Sequence, residues 1–81
     1  MNIYRHTFTV DCPLRPCGII YRLKIETDKM IFVEDIMSAC HKIEKGFHEE
    51  IADMLHTQLG GHQVIKGYHH GVDIETIRGD V

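Results

Sequence analysis

No stretch of this chain is apolar for the roughly 20 residues that a membrane-crossing helix needs. Its first residues, Met1-Asn2-Ile3-Tyr4-Arg5-His6, lack the charged-then-apolar layout of a secretion signal, so a cytoplasmic location without a membrane partner is the expectation. Basic runs are also missing. Nine Lys and Arg are scattered singly against twelve Asp and Glu, giving a net charge of −3, so nucleic acid is not an expected partner. The three cysteines are an odd number, which fits reduced thiols better than a disulfide framework. There is no glycine-rich phosphate loop, no nucleophile elbow and no kinase signature. Ser38 is the only serine, and it falls in a helical stretch, which argues against a serine nucleophile. Without an internal repeat, low-complexity segment or linker, residues 1–81 read as a single α+β domain near the lower size limit for one core.

What the chain does have is histidine, seven in 81 residues, with 43% hydrophobic and 26% charged residues around them. Imidazole changes charge near neutral pH and is the commonest metal ligand, so where each ring sits matters.

Two segments near the N-terminus alternate with period 2, the mark of half-buried strands. In the first, Tyr4, His6, Phe8 and Val10 share a face; in the second, Ile19, Tyr21, Leu23 and Ile25 do. Matching the two faces sets Phe8 opposite Tyr21, Val10 opposite Ile19, His6 opposite Leu23 and Tyr4 opposite Ile25, and a slip of one residue turns an apolar set outward. This register also brings Cys12 across from Cys17, with Pro13-Leu14-Arg15-Pro16 as the loop.

The period then becomes helical. Ile36, Cys40, Ile43, Phe47, Ile51, Met54 and Leu55 recur at steps of mainly three and four, with Glu34 and Asp35 at the start and Gly60-Gly61 as the stop. Gly46 costs about 1 kcal/mol against alanine inside a helix. The stripe keeps its phase across it, which predicts one long helix over residues 34–59 with room for a kink. The final segment reads as a second hairpin, closed by His69-His70-Gly71 as a three-residue loop. That places Tyr68 opposite Val72, Lys66 opposite Ile74 and Val64 opposite Thr76, with Val64, Tyr68, Val72 and Ile74 on the core face. The expected architecture is α+β: a four-stranded antiparallel sheet of two hairpins, order ββαββ, with one long helix packed on one face.

Such a sheet leaves one face bare. Arg5, Thr7, Thr9, Ile20, Arg22 and Lys24 of the first hairpin fall on it, with Ile65 and Ile77 of the second. Arg5 directly opposes Lys24, an unfavourable pairing unless a counter-charge such as Glu26 or a bound anion intervenes. Arg5, Arg22 and Lys24 are therefore the candidate binding residues. Cys12 and Cys17 are expected to plug the end of the core. As a zinc pair they need further ligands, for which Cys40 and the turn histidines His69 and His70 are the candidates. Glu44 and His48, four apart, are expected as a neighbouring pair on the helix surface, with His41 on the same side. His6 is expected as a satisfied core or boundary histidine.

The reading of the whole is a small protein-interaction or regulatory module with no recognisable catalytic motif and no cofactor. It acts by self-association or by docking on another protein, since the bare face and open strand edges both invite a partner. One alternative is a metal-binding protein using Cys12, Cys17 and histidines. Another follows from the order of elements, which resembles the tunnelling fold of pterin and purine enzymes such as dihydroneopterin aldolase. That resemblance implies sites between subunits and a glutamate near the last strand holding the ring, a place that Glu75 occupies here. Those enzymes carry two helices where the periodicity here predicts one.

Overall fold

The computed structural model describes residues 1–14 and 18–79. Four strands, β1 (Asn2–Asp11), β2 (Gly18–Thr27), β3 (His62–His69) and β4 (Val72–Arg78), form one antiparallel sheet in the order β1-β2-β3-β4. Between β2 and β3 run two helices, α1 (Val33–His41) and α2 (His48–Leu59), which pack on the same face of the sheet. The α+β class and the antiparallel sheet agree with the periodicity, but the order is β-β-α-α-β-β.

The first hairpin has the register that its apolar faces dictate, with Phe8 opposite Tyr21 and His6 opposite Leu23. Tyr21, Leu23 and Ile25 are almost wholly buried beneath the helices, whereas Arg22 between them is exposed. The apposition of Cys12 with Cys17 lies outside the described residues, since these omit Arg15, Pro16 and Cys17. Cys12 itself is buried in the core.

The single long helix is corrected to two. The chain leaves the helix after His41, and its linker runs beside the end of β1: the Asp11 N–H donates to the Glu44 carbonyl at 3.1 Å, and Asp11 bridges to Lys45. A continuous helix would have kept that carbonyl for itself. Helix α2 restarts when the Phe47 N–H donates to the Glu50 carboxylate at 3.1 Å, the half of a capping box that a phenylalanine cap permits. Phe47, placed on the apolar stripe by its spacing, is half exposed, and His48 is buried instead. Met54 also faces outward. Glu44 and His48 are therefore not a helical pair, because Glu44 lies in the linker.

The second hairpin is corrected by one residue. Its turn is the two-residue His70-Gly71, with φ of 47° and 91°, the left-handed pair of a type I′ turn. His69 now opposes Val72, Lys66 opposes Glu75 and Val64 opposes Ile77. Gln63, Ile65, Gly67 and His69 turn toward the helices, while Val64, Lys66 and Tyr68 turn away, the reverse of the three-residue reading. Two contacts favour this slip. A Cβ on Gly67 would lie 2.8 Å from the Tyr21 ring and 3.1 Å from His48 Nδ1, so only glycine fits there. Gln63 donates from its amide to the carbonyls of Leu55, at 3.1 Å, and Gly60, at 2.8 Å, satisfying the carbonyl end of α2.

Candidate functional site

Because both helices lie on one side, the other face of the sheet carries no layer among the described residues. The observed registers set Thr7, Arg22, Lys66 and Glu75 in one row across all four strands. Arg5, Lys24, Val64 and Ile77 form the next row. On the other side Thr9 opposes Ile20, and Tyr68 opposes Asp73. The expected binding residues Arg5, Arg22 and Lys24 are thus brought together, and Lys66 joins them. Ile65, assigned to this face by the three-residue turn, is instead buried under the helices, and Ile77 does lie outward.

Two adjoining depressions of about 520 and 240 Å³ open on this face, and Arg22, Lys66 and Glu75 line both. Lys24 is neutralised by Glu26 at 3.1 Å. Among the described residues, no carboxylate oxygen comes within 4.0 Å of Arg5, Arg22 or Lys66. Direct cross-strand opposition of Arg22 to Lys66 therefore sets two like charges side by side without a carboxylate paired to either among the described residues, and Arg5 beyond them likewise has none. The carboxylates of Asp73 and Glu75 collect on β4 at its side.

A second group of chemistry-bearing residues lies under the helices. His48, at the first turn of α2, is only 5% exposed, and neither ring nitrogen has a hydrogen-bond partner among the described residues. It meets Tyr21 edge-on, with ring centroids 5.3 Å apart, and its ring centroid lies 6.1 Å from that of His69. The Tyr21 hydroxyl and His69 Nε2 share a hydrogen bond of 3.1 Å. On the other side of Tyr21, Phe8 stacks at 5.6 Å, His6 stacks on Phe8, and the His6 Nε2 is also buried without a partner among the described residues. The satisfied histidine expected at position 6 is thus a boundary residue with an orphaned nitrogen.

Burial pushes the Tyr21 phenol up to about 12, and the neighbouring Cys12 acts in the same direction. The His48 imidazole is held below its ordinary range, first by burial and then by the nearby charges of His69 and Arg78; the Ile65 backbone and Glu49 oppose this without reversing it. At neutral pH Tyr21 is a phenol and His48 a neutral ring. In this aromatic cluster Tyr21 and His69 are hydrogen-bonded, and the buried His48 ring beside them resists protonation.

The residues considered as metal ligands are dispersed. Cys12 is buried, His69 is bound to Tyr21, His70 is exposed in the turn, and Cys17 is outside the described residues. Among the described residues there is no group of three or more His, Cys, Asp or Glu arranged to hold a metal ion. Cys40 is a buried thiol pushed up to about 11 by its burial. Among the described residues no helix is long and apolar enough to cross a membrane.

Sequence reasoning missed Lys66, Asp73 and Tyr68 on the open face and His48 in the core. The signal for Lys66 and Tyr68 was His70-Gly71 as a two-residue turn, because histidine enters the left-handed region more readily than most residues, whereas Asp73 shares the side of Ile77 under either turn. Comparison with known proteins identifies none to which the chain can be assigned: no family model, no curated protein and no solved structure matches it.

Proposed function

We propose that the protein is a small self-associating interaction module whose uncovered sheet face is the contact surface for a second copy of the chain. The observation that carries this reading is the lateral separation of charge on that face, with Arg5 on β1 at one edge, Asp73 and Glu75 on β4 at the other, and Arg22, Lys24 and Lys66 between them. A twofold axis parallel to the strands lays β1 of one copy over β4 of the other and β2 over β3, so that Arg5 falls beside Glu75 at each edge while Arg22 lies over Lys66 at the centre. Ile3, Ile20, Tyr68 and Ile77, each about half exposed, supply apolar area between them.

Sedimentation velocity tests it. The wild type is expected to dimerise, more weakly as salt rises. The variant Arg5→Glu is expected to be monomeric, and mixing it with Glu75→Lys is expected to restore a mixed dimer. A wild type that stays monomeric at its solubility limit, or a charge-reversed variant that dimerises unchanged, refutes the reading. Docking on a different protein is the outcome if the monomer is captured by a heterologous partner through the same face.

A second reading has one observation in its favour. With two helices between the hairpins, the element order now resembles the tunnelling fold more closely than the periodicity implied, and Glu75 lines both depressions. Under this reading the face contributes to a pterin or purine site completed by another subunit. Equilibrium dialysis against neopterin and guanine tests it: retention abolished by Glu75→Ala supports it, and no retention by the oligomer removes it.

A further inference from the structure

The geometry points to the centre of the uncovered face as a binding site for a small amino-bearing oxyanion, a phosphomonoester or carboxylate with an ammonium group a short reach away. This rests on the reading of that face as the working surface and names a ligand for it.

Arg22 and Lys66 oppose each other across β2 and β3, and neither has a carboxylate within 4.0 Å among the described residues. Their neighbour Lys24, on the same face of β2, does have one, Glu26 at 3.1 Å. Two like charges held this close are stabilised by an anion between them, and a guanidinium beside an ammonium offers both a fork and a point charge to an oxyanion. Both cations line the larger depression, of about 520 Å³, and the smaller one beside it. Beyond Lys66, Glu75 stands directly opposite on β4, and Asp73 lines the larger depression with it. Carboxylates at that end repel a plain anion and accept hydrogen bonds from an ammonium group. Ile20 and Tyr68 line the same depression, giving the body of the ligand an apolar wall. Among the described residues Tyr68 is the one aromatic lining it, too few for a stacking platform, so a small molecule is favoured over single-stranded nucleic acid.

The test is titration calorimetry at a protein concentration where sedimentation shows monomer, using inorganic phosphate and phosphoethanolamine as probes. Both are expected to saturate, phosphoethanolamine about tenfold more tightly. Arg22→Ala and Lys66→Gln are each expected to weaken phosphate by about tenfold or more, with melting curves confirming that the variants fold. Glu75→Gln is expected to erase the preference for the amine, with phosphate bound as tightly as in the wild type or more so once the repelling carboxylate is gone. Phosphate binding indifferent to both cation variants, no saturation by either probe, or tighter binding of a single-stranded oligothymidylate than of phosphoethanolamine would each overturn the site. Should the wild type bind phosphate through Arg22 yet sediment as a monomer at every concentration, the ligand site stands and self-association falls. Dimerisation with phosphate binding indifferent to Arg22 and Lys66 removes the ligand site and leaves self-association standing.

Discussion

His48 makes the stability of this fold depend on pH in a direction that can be worked out from its surroundings. Its ring is buried with both nitrogens unpartnered among the described residues, between the Tyr21 ring, the Gly67 backbone and His69, with Glu49 on its own helix and Arg78 on β4 nearby. Burial lowers its pKa in the folded state, whereas in the unfolded chain it returns to the ordinary histidine range near 6.5. The unfolded state therefore binds the proton first. Stability is fully present above about pH 6.5 and declines as pH falls through that value, at up to about 1.4 kcal/mol per unit until the folded-state pKa is reached. For a domain of this size each such kcal/mol moves the melting temperature by about 4–8 °C.

Replacing the ring by an apolar side chain removes both the titration and the two orphaned nitrogens. A buried polar group without a partner costs about 1–3 kcal/mol, which offsets the imperfect packing of the substitute. His48→Leu is therefore expected to match the wild type near pH 8 within about 2 kcal/mol. Below pH 6.5 it is expected to gain on the wild type with each step down. Urea unfolding followed by far-ultraviolet circular dichroism between pH 8 and pH 5 reads the difference. Parallel curves for the two proteins would refute the reasoning, because they would mean that His48 takes up its proton equally in both states.

Neighbouring contacts give further expected outcomes. Gly67→Ala forces a methyl group within 2.8 Å of the Tyr21 ring and is expected to cost about 1–3 kcal/mol in thermal unfolding, with altered near-ultraviolet tyrosine signals. Gln63→Ala withdraws the amide that donates to Leu55 and Gly60 and is expected to cost about 1–3 kcal/mol, with faster amide exchange in the last turn of α2. Leu55→Ala, 1% exposed in the core, is expected to lose about 2–5 kcal/mol in urea unfolding.

The first hairpin is legible in the sequence because its apolar residues leave one pairing that buries both sets, and the structure keeps that pairing from Asn2 with Thr27 to Asp11 with Gly18. The helical stretch is legible as helix but not as two. Its stripe keeps phase from Ile43 to Phe47, and the break depends on Asp11 claiming a carbonyl from the linker, a contact distant in sequence. The second hairpin is misread by one residue because Val64 and Tyr68 look like core and Gln63 and Gly67 do not. What reverses the assignment is tertiary: Tyr21 leaves no space for a side chain at 67, and the end of α2 needs an amide at 63. That slip decides how much of the candidate site can be seen. Arg5, Arg22 and Lys24 are visible because they lie in the correctly paired hairpin, while Lys66 and Tyr68 are hidden with the register.

The order β1-β2-β3-β4 also sets the path by which the chain finds its shape. Both hairpins join neighbours in sequence and can zip up locally on a microsecond timescale. Of the three strand pairings described, the union of β2 with β3 is the one that draws distant partners together, such as Glu26 and His62, across the segment that contains both helices. Coiling that segment into α1 and α2 shortens the span to be closed, so the helices serve as the clasp that hands one preassembled hairpin to the other.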